Sequence, residues 1–355
     1  MRNFLLLSFS LFLIFVLIGC SSDEVDVKGN ETENVESNSV SNDAEYEEPE
    51  IVFRFSDVPS EHDEMIEANR YFADYIFEKT NGKIKVEVYP GAQLGNNEEV
   101  IQSVKMGAID IARMQMPIIN ESGVNDSRLT VLGLPYIFDD FEHAWKVLRG
   151  EIGQEVIDVV NESDIGIIGL GFMEVTARNF FTTDTPIRTM DDMKGLKIRV
   201  QSSPMYLDMV KAFGASPTPI AFSELYSGLQ TGVVDGAENP IKGFYNDKFY
   251  EVAKYYSLNP NDSAEPSLLF ISKISWEVLS DEEKEIFKEA AYEAGVFLEE
   301  KTKENVAGYM EKLEDEGVEL VEIEDYENWV EAVQPLYEKY GEDNEDFIQR
   351  IKDFQ

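Results

Sequence analysis

The chain has 355 residues, with 70 Asp and Glu against 30 Lys and Arg, a formal net charge of −40 at pH 7 and 43% hydrophobic residues. That length suits one large or two ordinary domains and the apolar fraction can build a sizeable core, while so acidic a chain is repelled by phosphate backbones, which argues against binding nucleic acid. One cysteine, Cys20, and two histidines, His62 and His143, exclude an internal disulfide and a Cys/His zinc cluster, and leave a Ser-His-Asp triad only two isolated imidazoles.

Met1-Arg2-Asn3 precedes an apolar run over residues 4–18, short for a bilayer span but right for a secretory signal. It ends in Leu17-Ile18-Gly19-Cys20, which resembles a bacterial lipobox, where a small residue precedes a cysteine that is acylated and becomes the new N-terminus. The alternative is a short membrane anchor with an incidental cysteine. Residues 21–50 hold 11 acids and one lysine and have no apolar period, as expected of a disordered tether. The expectation is therefore a signal peptide over 1–19, then a lipidated Cys20 and acidic tether over 20–50. The mature protein would be extracytoplasmic and lipid-anchored to the cell membrane.

Alternation predicts a strand over 51–55, and Met65, Ile66, Phe72, Ile76 and Phe77 predict a helix over 63–80. Asn81-Gly82 is a turn before an alternating strand over 83–89, which makes a βαβ unit. A helix over 97–106, closed by Gly107, leads to a strand over 108–113, so the first region reads as α/β with a largely parallel sheet. A glycine-spaced apolar run over 166–172 predicts a buried strand, and 196–200 another after the Lys194-Gly195 break. Ser203-Pro204 opens a helix by N-cap and first-turn preference, stopped at Gly214. A long final helix starts at Ser280, which forms a capping box with Glu283, and continues past Glu300 toward Gly317. No internal repeat is present.

Three places in the middle carry candidate chemistry. Arg199 lies on the 196–200 strand beside a helix N-terminus, and a guanidinium next to free backbone N–H groups is a good carboxylate receptor. Arg178 enters from another segment. Gly236-Ala237-Glu238-Asn239-Pro240 either faces a cleft or caps a turn, and local chemistry favours the turn. His62, between Glu61 and Asp63, either lines a site or caps the next helix. Met114 to Met116 are more often core, yet they close a predicted strand, where open α/β sheets place ligands. No Walker phosphate loop and no GxGxxG is found. Among 70 acids, Asp/Glu pairs arise by chance, but they keep a carboxylate-dependent, lipid-anchored hydrolase as a reading of another class.

Taken together, Thr176-Ala177-Arg178-Asn179-Phe180-Phe181, Lys194-Gly195-Leu196-Lys197-Ile198-Arg199-Val200, Gly214-Ala215-Ser216-Pro217-Thr218-Pro219, Phe222-Ser223-Glu224-Leu225-Tyr226 and Thr231-Gly232-Val233-Val234-Asp235-Gly236-Ala237-Glu238-Asn239-Pro240 resemble the DctP-type solute receptors of tripartite ATP-independent periplasmic (TRAP) transporters. The likeness runs from about residue 51 to the C-terminus. It implies a two-lobed, periplasmic-binding-protein-like α/β fold with a ligand cleft between the lobes and a long helix spanning both. Lobe I would hold 51–175 plus 265–304, and lobe II 176–264 plus 305–355. The resemblance implies Arg199 as the carboxylate-binding arginine, Arg178 as its assistant, Asn239 on the same carboxylate and Phe222 packed on the ligand; Gln115 and His62 are first-region candidates for selectivity. Gln201 stands where proline is frequent and Thr176 where glycine is common. The implied function is capture of a small organic acid anion, a sugar acid such as a uronate in preference to a C4-dicarboxylate or oxo-acid. The partners would be the small and large membrane subunits of a TRAP permease, with no catalysis, cofactor or metal.

The charge distribution agrees with an anion site. Residues 176–250 hold eight acids and eight bases, whereas 281–355 hold 25 acids and 8 bases. With a Debye length of about 8 Å at physiological salt, the distant acids are screened from that neutral segment.

Overall fold

The computed structural model describes residues 48–258 and 264–354; the expected signal peptide, Cys20 and all but the end of the expected tether lie outside the described residues. Alternation in β1 (Ile51–Ser56) turns Phe53 and Phe55 inward, and the helix Glu64–Lys79, N-capped by the Asp63 carboxylate on the Met65 N–H at 2.8 Å, carries the chain to β2 (Ile84–Tyr89). The two strands pair in parallel from Ile51 opposite Ile84 to Ser56 opposite Tyr89, the expected βαβ unit. After the helix Asn97–Lys105, closed by Gly107 at φ +70°, β3 (Ile111–Gln115) joins β1 in parallel.

The parallel pattern stops there. β4 (Ile167–Ala177) extends past the expected 166–172 run, and β10 (Ala264–Ser272) inserts between β3 and β4, antiparallel to both, giving the order β2-β1-β3-β10-β4. The expectation of a largely parallel sheet therefore holds for β1 to β3 only. β10 arrives from a part of the chain that has first built another sheet, a connection that local periodicity does not register.

That second sheet comprises β5 (Asn179–Thr182), β6 (Lys197–Val200), β7 (Ser216–Pro219), β8 (Gly236–Asn239), β9 (Tyr255–Leu258) and β11 (Glu319–Glu322), ordered β11-β9-β5-β8-β6-β7. The chain passes from β4 to β5 through the single residue Arg178. The helix Pro204–Ala212 starts where expected, with Pro204 in its first turn, but Ser203 occupies the N-cap position without a side-chain capping bond. Gly236 to Asn239, read locally as a turn, is a fully buried strand. Its length is four residues and its sequence lacks β-branched side chains, so only pairing with β5 and β6 reveals it.

The helix Asp281–Asp315 ties the two sheets together. The Ser280 and Glu283 capping box is formed, with the Glu283 carboxylate accepting from the Ser280 N–H at 2.7 Å. Its first half packs Phe287, Ala290, Ala291 and Leu298 with the Phe53, Phe55 and Phe72 core of the first sheet; its second half packs Tyr309 and Leu313 with Phe181, Phe244 and Tyr256 of the second. Gly295 permits the approach to β4, since a Cβ there would stand 2.8 Å from the Phe172 carbonyl. The C-terminal helices, expected with lobe II, touch both sides. Ile351 O meets His143 Nε2 at 2.8 Å, Tyr337 donates to Pro135 O at 2.7 Å, and Lys339 and Tyr340 hold Asp208. His143 is thus a buried structural residue. No helix among the described residues is long and apolar enough to cross a membrane.

Candidate functional site

The two sheets face each other across a narrow cleft that leaves about 60 Å³ of water-accessible space between them. Its walls come from strand ends: Val58 and Pro59 after β1, Gln115 closing β3, Gln201 after β6 and Asn239 closing β8. Ligands of open α/β sheets bind at such carboxyl ends, where the backbone leaves the sheet and side chains from several strands converge.

Arg199 is in the middle of the short β6 and is 3% exposed, between Ile198 and Val200 at 0%. Its Nε donates to the Ile220 carbonyl at 3.0 Å, and its guanidinium lies 5.6 Å from the centre of the Phe222 ring, itself held edge-on by Phe249. Among the described residues no carboxylate lies within ion-pair distance of Arg199. Burial therefore pushes its pKa down to about 10. This is a desolvated cation at the cleft wall, a setting in which an unpaired charge is costly.

The other two arginines of the cleft are already neutralised. Arg178 is gripped by Glu238 of β8 and by Glu265 of β10, whose carboxylate is 3.0 Å from Nε. Its position between β4 and β5 makes this triad a joint between the two sheets. Burial pushes the Glu265 carboxyl up to about 7 in spite of Arg178. Arg113 of β3 makes a two-pronged contact with Asp57 at 2.9 and 3.0 Å and reaches Glu174 of β4 at 3.2 Å. These carboxylates hold the Arg113 pKa above the ordinary arginine value despite burial.

Glu174 links that pair to the second sheet, because its other oxygen is 2.6 Å from Nζ of Lys242, on the helix Ile241–Asn246 that follows β8. Lys242 is 3.9 Å from Asp63, the N-cap of the first helix. Asp247, at the end of the same short helix, also lines the cleft; burial and the neighbouring Asp63 charge push its carboxyl up to about 7.

Of the residues singled out from the sequence, Arg199, Arg178, Asn239, Phe222 and Gln115 all line this one cleft. Asn239 owes its place to Gly243, where a Cβ would come within 2.5 Å of the Asn239 amide nitrogen, and its carbonyl accepts from Tyr256 at 2.9 Å. His62 is not brought in. It is exposed in the turn before the first helix, whereas Asp63 next to it faces inward and does the capping. The sequence reading missed Asp57, Asp63, Arg113, Glu174, Lys242 and Asp247. The carboxyl-end rule, applied to β1 and β3 as a whole, could have found Asp57, which follows β1 directly, and Arg113; nothing local marks Lys242 or Asp247.

A family model for DctP, described as bacterial extracellular solute-binding protein, family 7, matches residues 55–344. A curated solute-binding protein of Chromohalobacter salexigens is 33% identical over 288 residues, covering 80% of this chain and 83% of its own. The crystal structure of a TRAP periplasmic solute binding protein from Xanthobacter autotrophicus with bound β-D-galacturonate is 36% identical with a TM-score of 0.80, covering 85% of this chain and 100% of its own. Another, from Sulfurospirillum deleyianum with bound succinate, is 28% identical with a TM-score of 0.80, covering 86% and 100%.

Proposed function

Because the chain belongs to the bacterial extracellular solute-binding proteins of family 7, the DctP receptors of TRAP transporters, we propose that it captures a sugar acid, a uronate in the first instance, and delivers it to a membrane permease. The observation that carries this reading is Arg199, buried at the wall of the cleft and without a carboxylate partner among the described residues. The ligand carboxylate docks on its guanidinium fork, Asn239 adds an amide, Phe222 packs on the ligand body, and Arg178 lends positive charge while staying bound to Glu238 and Glu265.

Charge-assisted hydrogen bonds contribute roughly 1.5–3 kcal/mol each, so losing a bidentate pair costs on the order of 100-fold or more in affinity. Arg199→Ala is expected to abolish binding of galacturonate and glucuronate in calorimetry, and Arg199→Lys to weaken it by removing the fork. An Ala variant that binds as the wild type does would refute the assignment. The dicarboxylate reading draws support from the succinate-bound neighbour, but the galacturonate-bound neighbour is the more similar at 36% against 28% identity. The family's members are solute-binding proteins, so we read the chain as a receptor rather than a hydrolase, with bound ligand recovered chemically unchanged.

The extracytoplasmic anchor through Cys20 and the two-subunit permease partner follow from the lipobox-like Leu17-Ile18-Gly19-Cys20 and from the family. Cys20→Ala is expected to abolish acyl labelling and to move the protein from the membrane fraction to the soluble one. Retention in the membrane fraction would argue against the anchor.

A further inference from the structure

The cleft has two electrically distinct ends. Arg199, Gln201 and Phe222 continue into an adjoining pocket with Ser202, Ile220 and Ala221, which neither Lys242, Asp63 nor Asp247 lines. Lys242 is instead paired with Glu174 at 2.6 Å and lies 3.9 Å from Asp63, and Asp247 neighbours Asp63 and Ser60.

At the Lys242 end four buried or nearly buried carboxyl groups, Asp57, Asp63, Glu174 and Asp247, stand against two cations, Arg113 and Lys242. Both cations are engaged: Arg113 by Asp57 and Glu174, Lys242 by Glu174 at 2.6 Å and by Asp63 at 3.9 Å. Gln115 and Asn97 add only neutral amides to the lining. Among the described residues, no cation at this end is without a carboxylate partner.

We propose that Asp63 and Asp247, with Lys242 held by Glu174, select against a second carboxylate, so that the far end of the ligand carries hydroxyl groups and no charge. Hydroxyls donate to these carboxylates, which offer acceptors in excess. Above pH 7, where Asp247 is ionised, a second carboxylate meets the like charges of Asp63, Glu174 and Asp247, and the one ammonium at hand, Lys242, is already paired with Glu174 at 2.6 Å. The inference rests on the reading of Arg199 as the receptor for the first carboxylate, and assigns specificity to residues that touch the opposite end.

Two matched ligand pairs test it by calorimetry on the full-length protein at pH 8, where Asp247 is ionised: gluconate against glucarate, and erythronate against meso-tartrate. Each pair differs only in a terminal CH2OH replaced by a carboxylate. The wild type is expected to prefer the monoacid by roughly 100-fold, the order expected of unrelieved like-charge contact. Asp63→Asn keeps the helix cap, because asparagine caps as well as aspartate, and Asp247→Asn keeps the shape. Each is expected to weaken the monoacid, to strengthen the diacid and so to shrink the ratio at least about tenfold. A wild type that binds the diacids as tightly as the monoacids overturns the inference, as do variants that weaken both members of a pair equally. If the diacids bind and lose affinity in Arg199→Ala, the receptor reading survives this failure. If no member of either pair binds, this inference falls, and the receptor reading stands or falls on the galacturonate and glucuronate titrations alone.

Discussion

Arg113, Arg178 and Arg199 lie on one cleft within a few residues of strand ends, yet of the three Arg199 alone has no carboxylate partner among the described residues. The difference is the company each keeps: Asp57 and Glu174 for Arg113, Glu238 and Glu265 for Arg178, and a backbone carbonyl for Arg199. A paired arginine is a rigid strut, whereas an unpaired buried one carries a desolvation cost that a ligand relieves. Asn239 is positioned with similar economy by the absence of a side chain at Gly243. Gly243→Ala is expected to push the Asn239 amide out of place and lower ligand affinity by about tenfold, the worth of one good hydrogen bond, at nearly unchanged melting temperature. Equal affinity in calorimetry would show that Asn239 does not meet the ligand.

Among the elements, β8 and the helix after it bring several polar side chains to the cleft. Glu238, Asn239, Lys242 and Asp247 all lie within the 12 residues from Gly236 to Asp247; Asn239, Lys242 and Asp247 line the cleft and Glu238 holds Arg178. The same burial that shapes this element sets a pH response. Asp247 titrates at about 7 in the folded protein against 3.8 in the open chain, so between these values the native state holds a proton that the unfolded chain has lost. Its contribution to stability is fully present below the lower value and is lost as pH rises through the upper one. Asp247→Asn removes this loss. The melting temperature of the variant relative to the wild type is therefore expected to rise from about pH 5 to about pH 8. A pH-independent difference in scanning calorimetry would place Asp247 in contact with solvent or in a stronger ion pair.

At the scale of the whole molecule, two sheets are joined by the Arg178 crossover, the β9 to β10 return and the helix Asp281–Asp315. The cross-sheet contacts of Lys242 with Glu174 and Asp63 lie on the cleft wall, so a ligand that touches both sheets stabilises their approach. Differential affinity for the closed arrangement is what drives closure. Small-angle scattering is expected to show contraction on adding a sugar acid, and none for Arg199→Ala at the same concentration. Contraction in that variant would mean that closure does not depend on the carboxylate receptor. The acid-rich 281–355 segment contributes much of the surface charge, while the cleft draws its character from local pairs, because screening separates the two.

Much of this was legible in the residues themselves. Periodicity and capping chemistry located β1, the helix Glu64–Lys79, β2 and the start of the long helix, since these depend on neighbours a few positions away. The Gly195-Leu196-Lys197-Ile198-Arg199-Val200 and Glu238-Asn239-Pro240 motifs led to the family, and through it to Arg199, Arg178, Asn239 and Phe222 at one cleft. Sequence was silent where an outcome depends on a partner far along the chain. β10 takes its place between β3 and β4 from residues about 90 and 150 positions away; β8 is a strand only because β5 and β6 flank it. The same holds for charge. Composition counts acids and bases, but whether a buried arginine is paired or unpaired depends on which carboxylates the fold brings within reach of it, and that was decided only by the tertiary structure.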